Sequence, residues 1–243
     1  MKLTDIGINE NANETTERDV LPGGRTRVQE SDVYDVRIDQ AYMYEATSGS
    51  MQFVVEFVEM PTESFSHKER YTITSGRLKG QKSTYERDGK EVPLPSFTKA
   101  TNLCKLVTGK PITAIDFEKK YVPIYNPETQ KQEPTEMDVP MELIGKQLKI
   151  GLLKVRENKP VLVNKKWTDG PDEREVNEVE KVFDADGKTL SEQQAGTQAA
   201  FIERWKAKRQ GKLEDRFKPV KQAQGTSVKT GAPAAPTKSL FED

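Results

Sequence analysis

The chain carries very little with which to do covalent chemistry: one cysteine and one histidine in 243 residues. A lone thiol cannot form an internal disulfide and fits a reducing compartment. A lone imidazole excludes a multi-histidine metal centre, and His67 has no serine-and-acid setting that would make a triad. Long apolar runs are also lacking. No stretch approaches the roughly 18 apolar residues that span a bilayer, and the opening MKLTDIGINENANETTERD has no apolar signal segment. These absences lead us to expect a cytosolic protein. Hydrophobic residues make up only 34% and charged residues 32%, so part of the chain is too polar to repay its ordering entropy. The net charge of -1 gives no global sign, which leaves the placement of charges to decide the partner.

Order begins after a polar stretch. Residues 1–30, rich in Asn, Glu and Thr and containing Pro22-Gly23-Gly24, read as a loosely attached arm. From Asp32 the chain alternates: Tyr34, Val36 and Ile38 point one way, Asp35, Arg37 and Asp39 the other. After a turn at Ala46–Ser50, Met51, Phe53, Val55 and Phe57 alternate again, so the two runs predict a hairpin. A third strand is expected at 70–75. A helix then runs from a Ser96 N-cap, with Phe97, Ala100, Leu103, Cys104 and Val107 on one face and Gly109 as its stop. Residues 111–140 read as a proline-bearing excursion. Gly145–Arg156 reads as a fourth strand and Val161–Trp167 as a fifth, with a short run at Val176–Phe183 after it. Ser191 and Gln194 suggest a capping box for a final helix through residue 211. Beyond it, Lys, Gln, Ala, Pro and Gly predict a disordered basic tail, 212–243.

Three strands, a helix and two strands is the element order of a five-stranded OB barrel, in which the helix bridges strands three and four. The expected fold is therefore mainly β with short helices: an OB-like domain at 31–190, a C-terminal helix at 191–211, and a tail.

Charge concentrates at one place within that order. Between Lys68 and Lys90 seven cations face three acids. Arg70, Arg77, Lys79 and Lys82 surround Gly76 and Gly80, where backbone can approach a ligand closely, and Tyr71 and Tyr85 lie on either side. Cations neutralise phosphates and release counterions, while aromatic rings stack on unpaired bases. A solvated hairpin with ordinary surface lysines would carry similar residues. Tyr44 on the first strand, and the group Lys165, Lys166 and Trp167 near the fifth, add further aromatic and cationic candidates. A core position is the competing reading for Trp167.

Catalytic and metal motifs fail on inspection. Cys104 lies on an apolar helix face without a histidine or second cysteine nearby in sequence, and reads as a structural thiol. Asp184-Ala-Asp186-Gly187 begins like a calcium loop but lacks the later ligands. Gly76-x-x-x-Gly80 is not followed by the Gly-Lys-Ser/Thr of a phosphate loop. No set of carboxylates stands out for a two-metal nuclease. The expectation is a protein that is not an enzyme and takes no cofactor.

Blocks of the sequence, in order, resemble a family of phage single-stranded DNA-binding proteins. Asp32-Val-Tyr-Asp-Val-Arg-Ile with Ala41-Tyr42 looks like their opening strand. Thr74-Ser-Gly-Arg-Leu-Lys-Gly-Gln-Lys, Tyr85, Asp88-Gly89, Leu94-Pro95 and Asn102-Leu-Cys-Lys-Leu look like their central block. Gly145-Lys-Gln-Leu-Lys-Ile-Gly-Leu-Leu-Lys and the region 178–187 resemble their later strands. The resemblance covers roughly residues 1–211. It implies an OB-type fold, coating of single strands in replication or recombination, and the host cytoplasm as location. The terminal Leu240-Phe241-Glu242-Asp243 is similar to the partner-recruiting tips of such proteins. It departs from them in having two acids only, with Phe241 ahead of both. A different class of reading is a regulatory factor that recruits replication or transcription machinery through this tail.

Overall fold

A computed structural model describes residues 28–126, 128–163 and 166–220. Residues 1–27 of the expected arm, Lys165, and the tail from 221, including Leu240, Phe241, Glu242 and Asp243, lie outside the described residues. Among the described residues no helix is long and apolar enough to cross a membrane.

The structure is mainly β and antiparallel. The expected hairpin forms from β1 (Asp32–Glu45) and β2 (Met51–Glu59), and β3 (Ser66–Thr72) pairs with β2. Parity explains the pairing. Val36, Ile38, Ala41, Phe53, Val55 and Phe57 are buried on one face, and a bulge between Ile38 and Gln40 keeps the later residues in phase. On its other edge β1 pairs with β8 (Gln147–Val163), and β8 pairs with β9 (Lys166–Phe183). The order across the sheet is thus β3-β2-β1-β8-β9.

The sheet curls without closing into a barrel. No backbone ladder joins β3 to β9 among the described residues. One carboxylate spans the gap instead: Glu69 accepts from the Val179 N–H at 3.3 Å and lies 3.1 Å from His67 Nε2. Helix α1 (Pro95–Thr108) buries Ala100, Leu103 and Cys104 against the core, and Leu106 is buried as well. Its N-cap is Leu94 rather than Ser96. Pro95 already occupies the first helical turn, where a missing N–H costs nothing.

Three expectations change in extent. Residues 118–139 are a hairpin, β6 (Glu118–Asn126) with β7 (Lys131–Val139), which meets β1 at the single pair Met43–Asp138. Its inner face, Val122, Ile124, Met137 and Val139, packs on Tyr42 and Val54. The expected strands at 145–156, 161–167 and 176–183 are two long strands of one arm, β8 and β9, with register shifts at Gly151/Leu152 and Asn158/Pro160. The final helix is two short ones, α2 (Leu190–Ala195) and α3 (Phe201–Arg209). Thr189 and Glu192 form the capping box, not Ser191 and Gln194.

The chain ends are stitched to this arm as far as they are described. Gln29 and Asn177 exchange hydrogen bonds of 2.8 and 2.9 Å. β10 (Leu213–Asp215) runs parallel to β8 in the lane that β1 leaves free, and Lys218 N–H donates to Asn158 at 2.9 Å. The tail expected to be free from 212 is therefore bonded through Lys218. Buried Ser31 joins the two elements of that lane, donating to the Lys212 carbonyl at 2.6 Å and accepting from Lys154 N–H at 2.8 Å.

Helix α3 docks through Trp205. Its indole N–H donates to Glu180 at 2.6 Å, and its ring lies so close to Gly151 that a β-carbon there would meet it at 2.9 Å. Overpacking a core of this kind costs typically 1–3 kcal/mol. Gly151→Ala should lower unfolding stability in urea by that order, and Trp205→Ala should remove most of the added cost in the double mutant.

Candidate nucleic-acid interface

The basic segment is a structured loop. β3 delivers the chain to a 3-10 turn at Arg77–Lys79, closed by Gly80 at φ 74. Ser75 N–H donates to the Lys82 carbonyl at 2.8 Å, and Lys82 N–H returns to Ser75 Oγ at 3.0 Å. The loop is then pinned to the β1–β2 turn: Arg77 N–H donates to Ser48 O at 2.9 Å and Gln81 Nε2 to Gly49 O at 2.7 Å. After it come β4 (Thr84–Arg87) and β5 (Lys90–Pro93). The expected Asp88-Gly89 turn joins them with φ of 53 and 71, as a two-residue hairpin of the primed type requires.

The glycines divide in role. A β-carbon at Gly76 would sit 2.8 Å from Ser48 O, so its close approach is used within the protein. Gly49, at φ 77, has the Arg77 side chain lying across it, and Arg77 forms an ion pair with Glu45. Gly80 has open space around it, with nothing nearer than Lys82 Cγ at 4.0 Å.

The candidate side chains fall into four places. Lys79 and Lys82 are exposed and make no ion pair among the described residues; Arg77 is exposed but held by Glu45. Arg70 is exposed on the outer face of β3, two residues from the end that feeds the loop, also without an ion pair. Tyr85 on β4 is 38% exposed. These five belong to one connected stretch.

Tyr71 does not join them. It is 3% exposed, stacked on Phe53 with centroids 6.4 Å apart, and burial raises its hydroxyl pKa well above the usual value. The expectation that it stacks on bases is corrected by strand parity: Arg70 faces out, so Tyr71 faces in. Tyr44 is half-buried against the Tyr42–Val54 cluster beneath β6–β7.

Lys166 and Trp167 lie elsewhere. Trp167 is 71% exposed, opposite Leu162 near the tip of the β8–β9 arm. Because β8 is antiparallel to β1, that tip runs out past Asp32, whereas the basic loop is docked beyond Glu45. The two groups sit off opposite ends of β1.

Three exposed residues escaped the sequence reading. Leu78 projects fully from the basic turn, and Tyr121 and Tyr125 stand on the outer face of β6, 74% and 57% exposed. The tyrosines alternate with inward Val122 and Ile124, a strand signal masked by Pro123 and Pro134. These two lie opposite one another, so the ladder position without donors is shared.

Among the described residues no group of three or more His, Cys, Asp or Glu side chains is placed to hold a metal ion. Cys104 is fully buried, and burial pushes its thiol up to about 12, with Glu142 adding to the shift. No family model matches the chain, and no curated protein is similar enough to it to count as a match.

Two measurements follow from this geometry. Alkylation of Cys104 at pH 8 should proceed only as fast as the protein opens, and should become immediate in denaturant. Gly49→Ala adds a β-carbon both at a left-handed φ and into Arg77, a combination that costs on the order of 1–3 kcal/mol. It should accelerate hydrogen exchange of the Arg77 and Gln81 amides while leaving those of α1 unchanged.

Proposed function

We propose that this chain is a non-catalytic single-stranded DNA-binding protein that coats strands during phage replication or recombination, in the host cytoplasm. The observation that carries the reading is the pinned loop. Lys79 and Lys82 project without counter-charges among the described residues, from a turn whose backbone is fixed to its neighbour. Arg70 and Tyr85 flank it in sequence. Preorganised cations lose little freedom when a phosphate arrives, and each neutralised phosphate contributes a salt-dependent term.

An OB-type core is part of the proposal. The order β3-β2-β1-β8-β9, with α1 after the third strand in sequence, supports it, as does the approach of β3 to β9 through Glu69. The tip Leu240–Asp243 enters the same reading as a contact for replication or transcription proteins.

Fluorescence anisotropy with labelled oligo-dT at several salt concentrations tests it. Binding should weaken steeply with salt. Lys79→Glu with Lys82→Glu should cut the slope of log K against log salt by about 1.4, at roughly 0.7 per phosphate. Tyr85→Ala should cost about 1–3 kcal/mol if a base stacks there. Trp167→Ala, off the far end of β1, should leave the affinity for a short oligonucleotide unchanged. Absent or salt-independent binding would sink the reading.

A further inference from the structure

Beside α3 a group of cations is held by an aromatic ring instead of by carboxylates. Lys181 Nζ of β9 and the Arg204 guanidinium of α3 each lie 5.4 Å from the centroid of the Phe201 ring. That ring rests in turn on Phe183, with centroids 6.4 Å apart. Lys208 stands one turn on from Arg204, and the three cations line one groove of about 370 Å³ with buried Trp205 beside them. Lys181, Arg204 and Lys208 make no ion pair among the described residues, while neighbouring Lys206 pairs with Glu203 and Arg209 with Glu180 and Glu214. Glu180, the acid that lines the groove, is already taken by Arg209 and by the Trp205 indole N–H. A ring positions a cation without neutralising it. Arg204 and Lys208 also stand at i and i+4 on the helix, where like charges repel. A bound anion relieves that repulsion.

What the groove offers selects the anion. A peptide anchors through apolar side chains that fill pockets. Here Phe201 is covered by its two cations and Trp205 is buried, so little apolar surface is left for an acidic peptide to fill. A nucleic-acid strand asks for less. Its phosphates are neutralised cation by cation, and an exposed guanidinium such as that of Arg204 also contributes to holding a base. We propose that the α3–β9 groove binds phosphates of the same single strand that the basic loop holds, as a second contact; the inference rests on the DNA-binding reading. The groove lies over the row Val33–Gly151–Lys181, since Trp205 sits against Gly151. The loop docks past the other end of β1, so the run from Val33 to Glu45 separates the two contacts by up to about 41 Å at 3.4 Å per residue. A strand held at one site reaches the other at a raised effective concentration, provided that it is long enough to span them.

The chain has two tryptophans, so Trp167→Phe leaves Trp205 as the sole reporter, inside the groove. In that full-length background, oligo-dT of about 16 nucleotides, the upper end of the site sizes of such folds, should shift Trp205 fluorescence. Arg204→Glu with Lys208→Glu should abolish the shift and cut the slope of log K against log salt by about 1.4, at roughly 0.7 per phosphate. Lys181→Gln, on β9 and clear of the helix, should cut the slope by about 0.7. Arg204→Lys with Lys208→Arg keeps both charges and should keep the wild-type slope. For oligo-dT of about 4 nucleotides, too short to span, Lys79→Glu with Lys82→Glu should leave the Trp205 shift in place. If long oligo-dT binds but the Trp205 signal stays still and neither groove variant changes the slope, the groove contact is overturned and the loop reading stands. No binding of oligo-dT at all overturns both. An equal shift with sodium pyrophosphate, or with an oligo-glutamate peptide, would assign the groove to a free phosphate or an acidic protein and overturn the strand contact.

Discussion

Everything in this protein hangs on the two edges of β1. One edge carries β2 and, through it, β3 and the basic loop; the other carries β8 and the arm. Buried backbone must find partners, so a strand laddered on both sides cannot slip without disturbing both halves. The inner face of the sheet adds Phe53, Phe57, Ile150 and Leu152, each essentially solvent-free, and burial of one such side chain contributes roughly 1.5–3 kcal/mol. Register and burial therefore specify each other. A one-residue shift would turn this apolar set outward and the charged set in.

The loop inherits its rigidity from that frame. The β1–β2 turn offers two carbonyls, Ser48 and Gly49, and the loop answers with a backbone N–H and a side-chain amide. Contact at this range requires the absence of β-carbons at Gly49 and Gly76. Exposed cations on long side chains ordinarily lose entropy on binding. Here at least the backbone beneath Lys79 and Lys82 is already ordered, so the remaining loss is confined to their side chains.

Period-two alternation made the β1–β2 hairpin legible, and Asp88-Gly89 announced its turn through the φ that only such pairs adopt readily. The burial of Cys104 followed from its helix face. The same parity could have assigned Tyr71 to the core, because it shares a phase with Ile73 and opposes Phe53; the basic residues around it drew it toward the surface instead. Hairpin β6–β7 was hidden by its prolines, which weaken a strand signal unless they happen to face each other. The arm was hidden by charge. Its outer half carries residues such as Lys154, Arg156, Glu173 and Glu175, tied in cross-strand ion pairs, so no apolar alternation marks it as one continuous structure.

Charge placement decides what the composition could not. Most basic side chains in the sheet face a carboxylate: Lys68 with Glu56, Lys149 with Asp35, Lys154 with Glu175, Arg174 with Glu157. Exposed pairs like these contribute little stability, with a median of about 0–1 kcal/mol, but they cancel the local field. At Lys79 and Lys82 no ion pair supplies that cancellation among the described residues, and the exposed Glu136 of β7 likewise has no cation partner among them. A net charge of -1 thus says nothing of local sign, which the pairing of each side chain decides. The two lysines, held near one another by the pinned loop, add their fields, whereas paired charges elsewhere on the surface largely cancel within a few ångströms.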